Sequence, residues 1–241
     1  MNVLIYSTYK ELSRAAADKI VDYIRNKPAS KVCIASGHTP LGVFECLVED
    51  VKLGRLDITQ CTFVSLDEWV GVERSDSGSC WSMMDKPFFQ ALQISASKVL
   101  FFDGNAADLQ RECDKVNEFL SPDGLDIMLV GVGLNGHIAM NEPGTSFDLR
   151  AHISQLAEET INVGQKYFDK PTELSKGITL GLQNFREAKL PILMANGAKK
   201  AAIIQKILTH SVTENIPATI VQTIPQALVM IDQEAASEMN K

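Results

Sequence analysis

Short runs of β-branched and apolar residues alternate along this chain with longer stretches whose apolar positions recur at helical spacing. That alternation predicts successive βα units around a mostly parallel sheet. Strands are expected at 2–6, 31–35, 61–66, 98–102, 125–131, 190–195 and 227–231, and helices at 8–26, 40–53, 80–92, 107–120 and 198–208. In the first helix Leu12, Ala15, Ala16, Ile20, Tyr23 and Ile24 share one face, and Thr8 with Glu11 has the spacing of a capping box. No repeat, low-complexity tract or Pro/Gly/Ser linker divides the sequence, so a single α/β domain over 1–241 is expected. The polar segment from about 144 to 176, with Gly144, Gly164 and Pro171, has no strong period and reads as an excursion over a site.

Composition narrows the function classes. With 23 Lys plus Arg against 30 Asp plus Glu, the formal net charge of −7 argues against nucleic-acid binding, which depends on neutralising phosphates. No apolar run reaches the roughly 20 residues that span a bilayer, and the start Met1-Asn2-Val3-Leu4-Ile5-Tyr6 lacks the basic and apolar regions of a signal peptide. A cytoplasmic protein with no membrane partner is expected. Five cysteines, an odd number without a C-x-x-C pair, read as free buried thiols in a reducing compartment.

Ligands of open α/β sheets bind beyond the carboxyl ends of the strands, and four such places hold unusual residues. Ser36-Gly37-His38-Thr39-Pro40 leads from a strand into a helix and suits a phosphate at the helix N-terminus. It is also compatible with a plain βα turn having Thr39 as N-cap and Pro40 in the first helical position. Asp67 and Glu68 leave the next strand side by side, either as acid/base groups or as a turn cap and a solvated charge.

The densest signal is Gly131-Val132-Gly133-Leu134-Asn135-Gly136-His137-Ile138-Ala139-Met140-Asn141-Glu142-Pro143-Gly144. Its glycines let backbone pass close to a ligand, and it aims Asn135, His137 and Glu142 at that ligand. His137 with Glu142 makes either an imidazole–carboxylate pair or a structural histidine. A dinucleotide reading is weak, because no helix-forming run follows the glycines. Asn196-Gly197-Ala198-Lys199-Lys200 opens the last expected helix, where lysines oppose the helix dipole unless an anion is present or they are simply solvated. The potential metal ligands are too few and scattered for a metal site.

Taken together, S-G-H-T-P at 36–40, L-D-E-W-V-G at 66–71, G-V-G-L-N-G-H-I-A-M-N-E-P-G at 131–144 and G-I-T-L-G-L at 177–182 resemble the glucosamine-6-phosphate deaminase/isomerase family and its galactosamine-6-phosphate isomerase branch. The resemblance runs over nearly the whole chain. Related 6-phosphogluconolactonases share the fold and a G-H motif but lack N-E-P and D-E-[YW]. The resemblance implies an open, Rossmann-like sheet with a helical lid near 144–176. It implies aldose–ketose isomerisation with deamination of a hexosamine 6-phosphate, without metal or organic cofactor. His137, tuned by Glu142 and Asn135, would open the sugar ring, and Asp67 would carry the proton from C2 to C1. Ser36, Gly37, His38, Thr39, Gly136, Lys166 and Lys200 would hold the substrate and its phosphate, in a monomer or small homo-oligomer.

Departures from the family pattern sharpen the expectation. Asn135 stands where many members have Asp, Lys166 where Arg is common, His38 where a small residue is common, and Trp69 where Tyr is commoner. Together with H-I-S-Q-L at 152–156, L-D-E-W-V reads more like the galactosamine branch. Allosterically activated members carry basic residues where His152 and Ser154 stand, and a longer C-terminal extension, so no activation by an N-acetylamino sugar phosphate is expected. Two other readings compete. A lactonase would use His137 as general base toward water, and a sugar-phosphate-sensing regulator would keep the pocket without turnover.

Overall fold

The computed structural model describes residues 1–239. Its strands are β1 (Asn2–Tyr6), β2 (Lys31–Ile34), β3 (Thr62–Val64), β4 (Asp67–Trp69), β5 (Val99–Leu100), β6 (Ile127–Val130), β7 (His152–Gln155), β8 (Lys176–Thr179), β9 (Leu190–Ala195) and β10 (Leu228–Asp232). The α-helices are α1 (Tyr9–Asn26), α2 (Leu41–Lys52), α3 (Cys80–Met84), α4 (Leu109–Leu120), α5 (Glu158–Gly164), α6 (Leu182–Glu187) and α7 (Ala201–Thr209). Seven strands form an open parallel sheet in the order β1-β10-β9-β6-β2-β3-β5, and β4-β8-β7 form a small antiparallel sheet. The open, parallel, helix-flanked architecture is the one the sequence pattern predicts. Among the described residues no helix is long and apolar enough to cross a membrane.

The central strand shows why this sheet forms. Ile127 and Leu129 enter one apolar cluster with α1 and α2 residues, while Met128 and Val130 enter the other with α4, α6 and α7 residues. All four are buried, so a continuous apolar run replaces the in/out alternation of a one-sided sheet. Each such side chain contributes about 1.5–3 kcal/mol by leaving water. From β2 the chain moves outward to β3, and from β6 it moves the other way to β9. The carboxyl ends of β2 and β6 therefore flank a topological switch point, where an open sheet leaves a crevice.

Several local expectations are corrected. The helix expected at 80–92 is α only to Met84; Pro87 has no N–H to give the preceding turn, and Asp85–Gln90 widens into a π turn. The strands expected at 61–66 and 98–102 pair only over Thr62–Val64 and Val99–Leu100, because the Ser65 hydroxyl, not a neighbouring carbonyl, accepts the Phe102 N–H at 2.9 Å. The helix expected at 198–208 starts with a 3₁₀ turn at Ala198–Lys200. Thr39 is not an N-cap; Pro40 holds the cap position of α2 and no side chain caps it. Half of the capping box forms, with Thr8 accepting from Glu11 N–H at 3.2 Å, while the Glu11 carboxylate accepts from Ser7 N–H.

The segment 144–176 is more regular than its sequence suggests, containing β7, α5 and a 3₁₀ turn at Gln165–Tyr167. Asp67 lies within a strand and not in a turn, paired with Thr179 of β8. All five cysteines are free, and all but the half-buried Cys46 are buried.

Candidate active site

A cavity of about 630 Å³ occupies the switch point, a size typical of small-molecule sites. The loop after β2 forms one wall. Gly37 adopts φ +87°, and a Cβ there would lie 3.1 Å from the Tyr167 hydroxyl, so glycine answers both conformation and space. The Tyr9 hydroxyl of α1 donates to the carbonyls of His38 (3.2 Å) and Thr39 (2.9 Å) and accepts the Gly42 N–H at 2.9 Å. The loop is thereby fastened to two helices. The His38 and Tyr167 rings stack at 5.3 Å, joining this wall to the 144–176 segment.

The loop after β6 forms the opposite wall. The His137 ring packs over Gly133, where a Cβ would collide with it. Asn135 Oδ1 accepts the His137 backbone N–H at 3.0 Å, and its Nδ2 donates to Glu142 Oε2 at 3.1 Å. An amide meets both demands at once, whereas an ionised carboxylate has no donor for Glu142. His137 Nδ1 lies 3.5 Å from Glu142 Oε2 and 3.2 Å from Thr160 Oγ1. Burial raises the Glu142 carboxyl, but the bonds from His137, Thr160 and Asn135 outweigh it, and the net shift is downward. Ala139, beside the cavity, holds φ +54°, an uncommon strain for a residue with a Cβ.

Asp67 forms the floor. It is 8% exposed, and burial, reinforced by the neighbouring Glu68 charge and opposed by a Cys80 hydrogen bond, pushes its carboxyl up to about 7. Glu68, one residue on, turns away and accepts backbone N–H bonds from Trp69 (2.9 Å), Cys80 (2.9 Å) and Trp81 (3.0 Å). Burial still lifts its carboxyl above the ordinary value.

Lys166, Lys199 and Lys200 line the cavity together with the carboxylates Glu159 and Glu234. Lys200 Nζ donates to Val132 O at 2.6 Å, and burial together with Lys166 lowers its pKa. Lys166 lies 4.8 Å from the Tyr167 ring centroid. The Lys166 charge acts on Lys200 against that of Glu159, and an anion bound beside both lysines would relieve their repulsion.

The structure therefore brings Ser36, Gly37, His38, Thr39, Asp67, Asn135, His137, Lys166 and Lys200 to one cavity. Gly136 and Glu142 do not line the cavity, although Glu142 stands in the pairing with His137 expected of it. Gly136, at φ +87°, makes a turn whose carbonyl accepts Ala218 N–H at 2.9 Å, and its α-carbon faces Ile216 and Ile203 instead of the cavity. Glu142 stands behind His137 and borders a separate open groove. Sequence reasoning missed Tyr9, Cys80, Thr160 and Tyr167, which come from helices or turns with no local motif. Glycine at 133 was part of a legible run, but its role under the imidazole is visible only in three dimensions.

Comparison with known proteins finds relatives over nearly the whole chain. Residues 7–230 match the family model described as glucosamine-6-phosphate isomerases/6-phosphogluconolactonase. The chain is 35% identical over 239 residues to a glucosamine-6-phosphate deaminase of Thermoanaerobacter pseudethanolicus, covering 98% of this chain and 94% of that one. It is 36% identical over 239 residues to glucosamine-6-phosphate deaminase 1 of Bacillus subtilis, covering 98% and 99%. A solved monomeric glucosamine-6-phosphate deaminase superposes with TM-score 0.94 at 35% identity, covering 99% of this chain and all of that one. The 6-phosphogluconolactonase of Trypanosoma brucei shares the fold, with TM-score 0.80 at 19% identity. This chain belongs to the family of glucosamine-6-phosphate isomerases and 6-phosphogluconolactonases.

Proposed function

We propose that the chain is an enzyme converting a hexosamine 6-phosphate to ketohexose 6-phosphate and ammonia. The observation that carries this reading is one cavity with a buried carboxyl near neutral pKa on its floor, a carboxylate-backed imidazole on one wall and Lys166 and Lys200 in its lining. The 35–36% identity to named deaminases over 98% of the chain supports the deaminase side of the family.

The chemistry follows from the groups. Lys166, Lys200 and the 36–39 loop hold the phosphate. His137, oriented by Glu142, Thr160 and Asn135, moves the proton that opens the pyranose to the aldehyde. Asp67 takes the C2 proton, leaving the electron pair in a C1=C2 enolamine whose carbonyl oxygen gains a proton. Return of the proton to C1 makes a C2 iminium, to which water adds and from which ammonia leaves, giving the C2 ketone. A base near 7 is half ionised at neutral pH, so it both accepts and returns a proton. The substrate's own carbonyl is the electron sink, so the sequence of steps calls for no cofactor. Segment 144–176, carrying Lys166, Thr160 and Tyr167, serves as the lid, and its closure excludes water.

We place galactosamine 6-phosphate ahead of glucosamine 6-phosphate, since His38 and Trp69 both border the cavity and narrow it relative to smaller residues. The free cysteines suit a reducing, cytoplasmic setting, and a monomer or small homo-oligomer is consistent with the monomeric relative. The test is ammonia release from both hexosamine 6-phosphates beside hydrolysis of 6-phosphogluconolactone. Ammonia from at least one epimer is expected; ammonia from neither, with lactone cleaved, makes the chain a lactonase.

A further inference from the structure

Cys80 is the buried group of the cavity that the steps above leave unused. It opens α3, where its backbone N–H donates to Glu68 Oε1 at 2.9 Å, and its Sγ lies 3.5 Å from Asp67 Oδ1. Consecutive residues of β4, whose side chains point to opposite faces, thus both end on one cysteine: Glu68 on its backbone and Asp67 on its thiol. Ser36 and Cys80 both line the cavity, so the thiol stands in the same lining as the phosphate-side loop and the floor. Asp67 Oδ2 makes no hydrogen bond within the described residues and is not sealed from solvent.

We propose that Cys80 is a positioning residue for the base, its thiol donating to Asp67 Oδ1 and leaving Oδ2 as the atom that takes the C2 proton. This rests on Asp67 being the base. The thiol keeps its own proton throughout and forms no bond to substrate. Burial and the two carboxylates hold it well above the ordinary thiol range, so it is a donor and not a nucleophile. A hydrogen bond to the charged form favours that form, so the thiol moderates the rise that burial imposes on Asp67. The other titratable groups facing Asp67 are Glu68 beside it on β4, Cys33 of β2 and Tyr167 of the 3₁₀ turn after α5. The raised pKa values of Cys33 and Tyr167 keep both neutral at working pH, leaving Glu68 as the opposing charge.

The experiment is the pH profile of kcat/KM for ammonia release in the full chain, comparing Cys80→Ala and Cys80→Ser with wild type, and Asp67→Asn alongside. Cys80→Ala is expected to move the acid limb upward by about half to one pH unit, the size of one ordinary hydrogen bond, with kcat falling more than KM changes. Cys80→Ser, which restores a donor, is expected to return the limb toward wild type. An unmoved limb in Cys80→Ala, or equal shifts in both variants, overturns the proposal, because loss of packing alone explains the second result. Full activity in Asp67→Asn overturns the reading of Asp67 and this proposal with it; loss of activity there with unmoved Cys80 limbs overturns this proposal only.

Discussion

Asp67 and Glu142 are both nearly sealed from water, at 8% and 6% exposed, yet their carboxyl groups shift in opposite directions. Asp67 has a single thiol as its side-chain partner, and burial pushes it up to about 7. Glu142 is met by an imidazole, a hydroxyl and an amide, and these hold it ionised below its ordinary range. Burial of a carboxyl therefore does not by itself decide the direction of its shift; the donors around it must outweigh the burial, as they do at Glu142 and as three backbone N–H groups at Glu68 do not. Under the proposed function, two acids pushed apart in this way would divide the labour of proton transfer, one free to exchange a proton and one fixed as a counter-charge.

The comparison is tested most severely by removing each charge without changing shape. Asp67→Asn should lower kcat/KM for ammonia release by about 10²–10⁴-fold or more, with the circular dichroism of the fold unchanged. Activity within tenfold of wild type would take Asp67 out of its role. Glu142→Gln keeps the outline but exchanges a charged hydrogen-bond partner for a neutral one, which should lower kcat by about 10- to 100-fold. A loss equal to that of Asp67→Asn would mean that Glu142 handles a substrate proton directly, and the division between the two acids would fail. Lys200→Ala touches neither acid. It should raise KM about tenfold with a smaller change in kcat, and weaken competitive inhibition by inorganic phosphate to a similar degree. A kcat effect without a KM effect would remove the phosphate from Lys200.

The two walls also differed in how far they could be read from sequence. The imidazole wall lies almost within residues 131–142, so its glycines, amide, histidine and acid stood together in one motif. Only Thr160, brought in by α5, was missing from it. The floor depends on a contact between Asp67 and Cys80 across a loop, and on Asp67 sitting in a three-residue strand too short to show a period. Gly136 and Glu142 shared the motif with true cavity residues, and sequence adjacency could not tell a residue facing the ligand from one behind it. The parallel sheet was legible because both faces of its central strand are apolar, a pattern that a sheet buried on both sides requires. The π turn, the shortened edge strands and the small antiparallel sheet follow from Pro87, the Ser65 hydroxyl and long-range pairing, none of which has a periodic signature.

The smallest expected effect, on stability, separates the two acids by sign. The folded-state value of Asp67, about 7, lies above its ordinary value of 3.8, so the fold retains this proton longer than the unfolded chain does. Stability from this group is whole below its ordinary value, declines as pH rises toward 7, and stays at its reduced level above that. Glu142 lies below its ordinary value of 4.5, so its contribution is present above that pH and is lost as pH falls through the lowered value. Asp67→Asn should therefore be more resistant to urea than wild type at about pH 8 and much closer to it at about pH 4.5. Glu142→Gln should be less resistant than wild type at about pH 8, with a deficit that shrinks in acid. Urea midpoints for the three proteins at both pH values measure this directly. Equal midpoints for Asp67→Asn and wild type at the higher pH would mean that ionising Asp67 costs the fold nothing. Its floor position would then be hydrated, and the contrast between the two carboxylates would reduce to Glu142 alone.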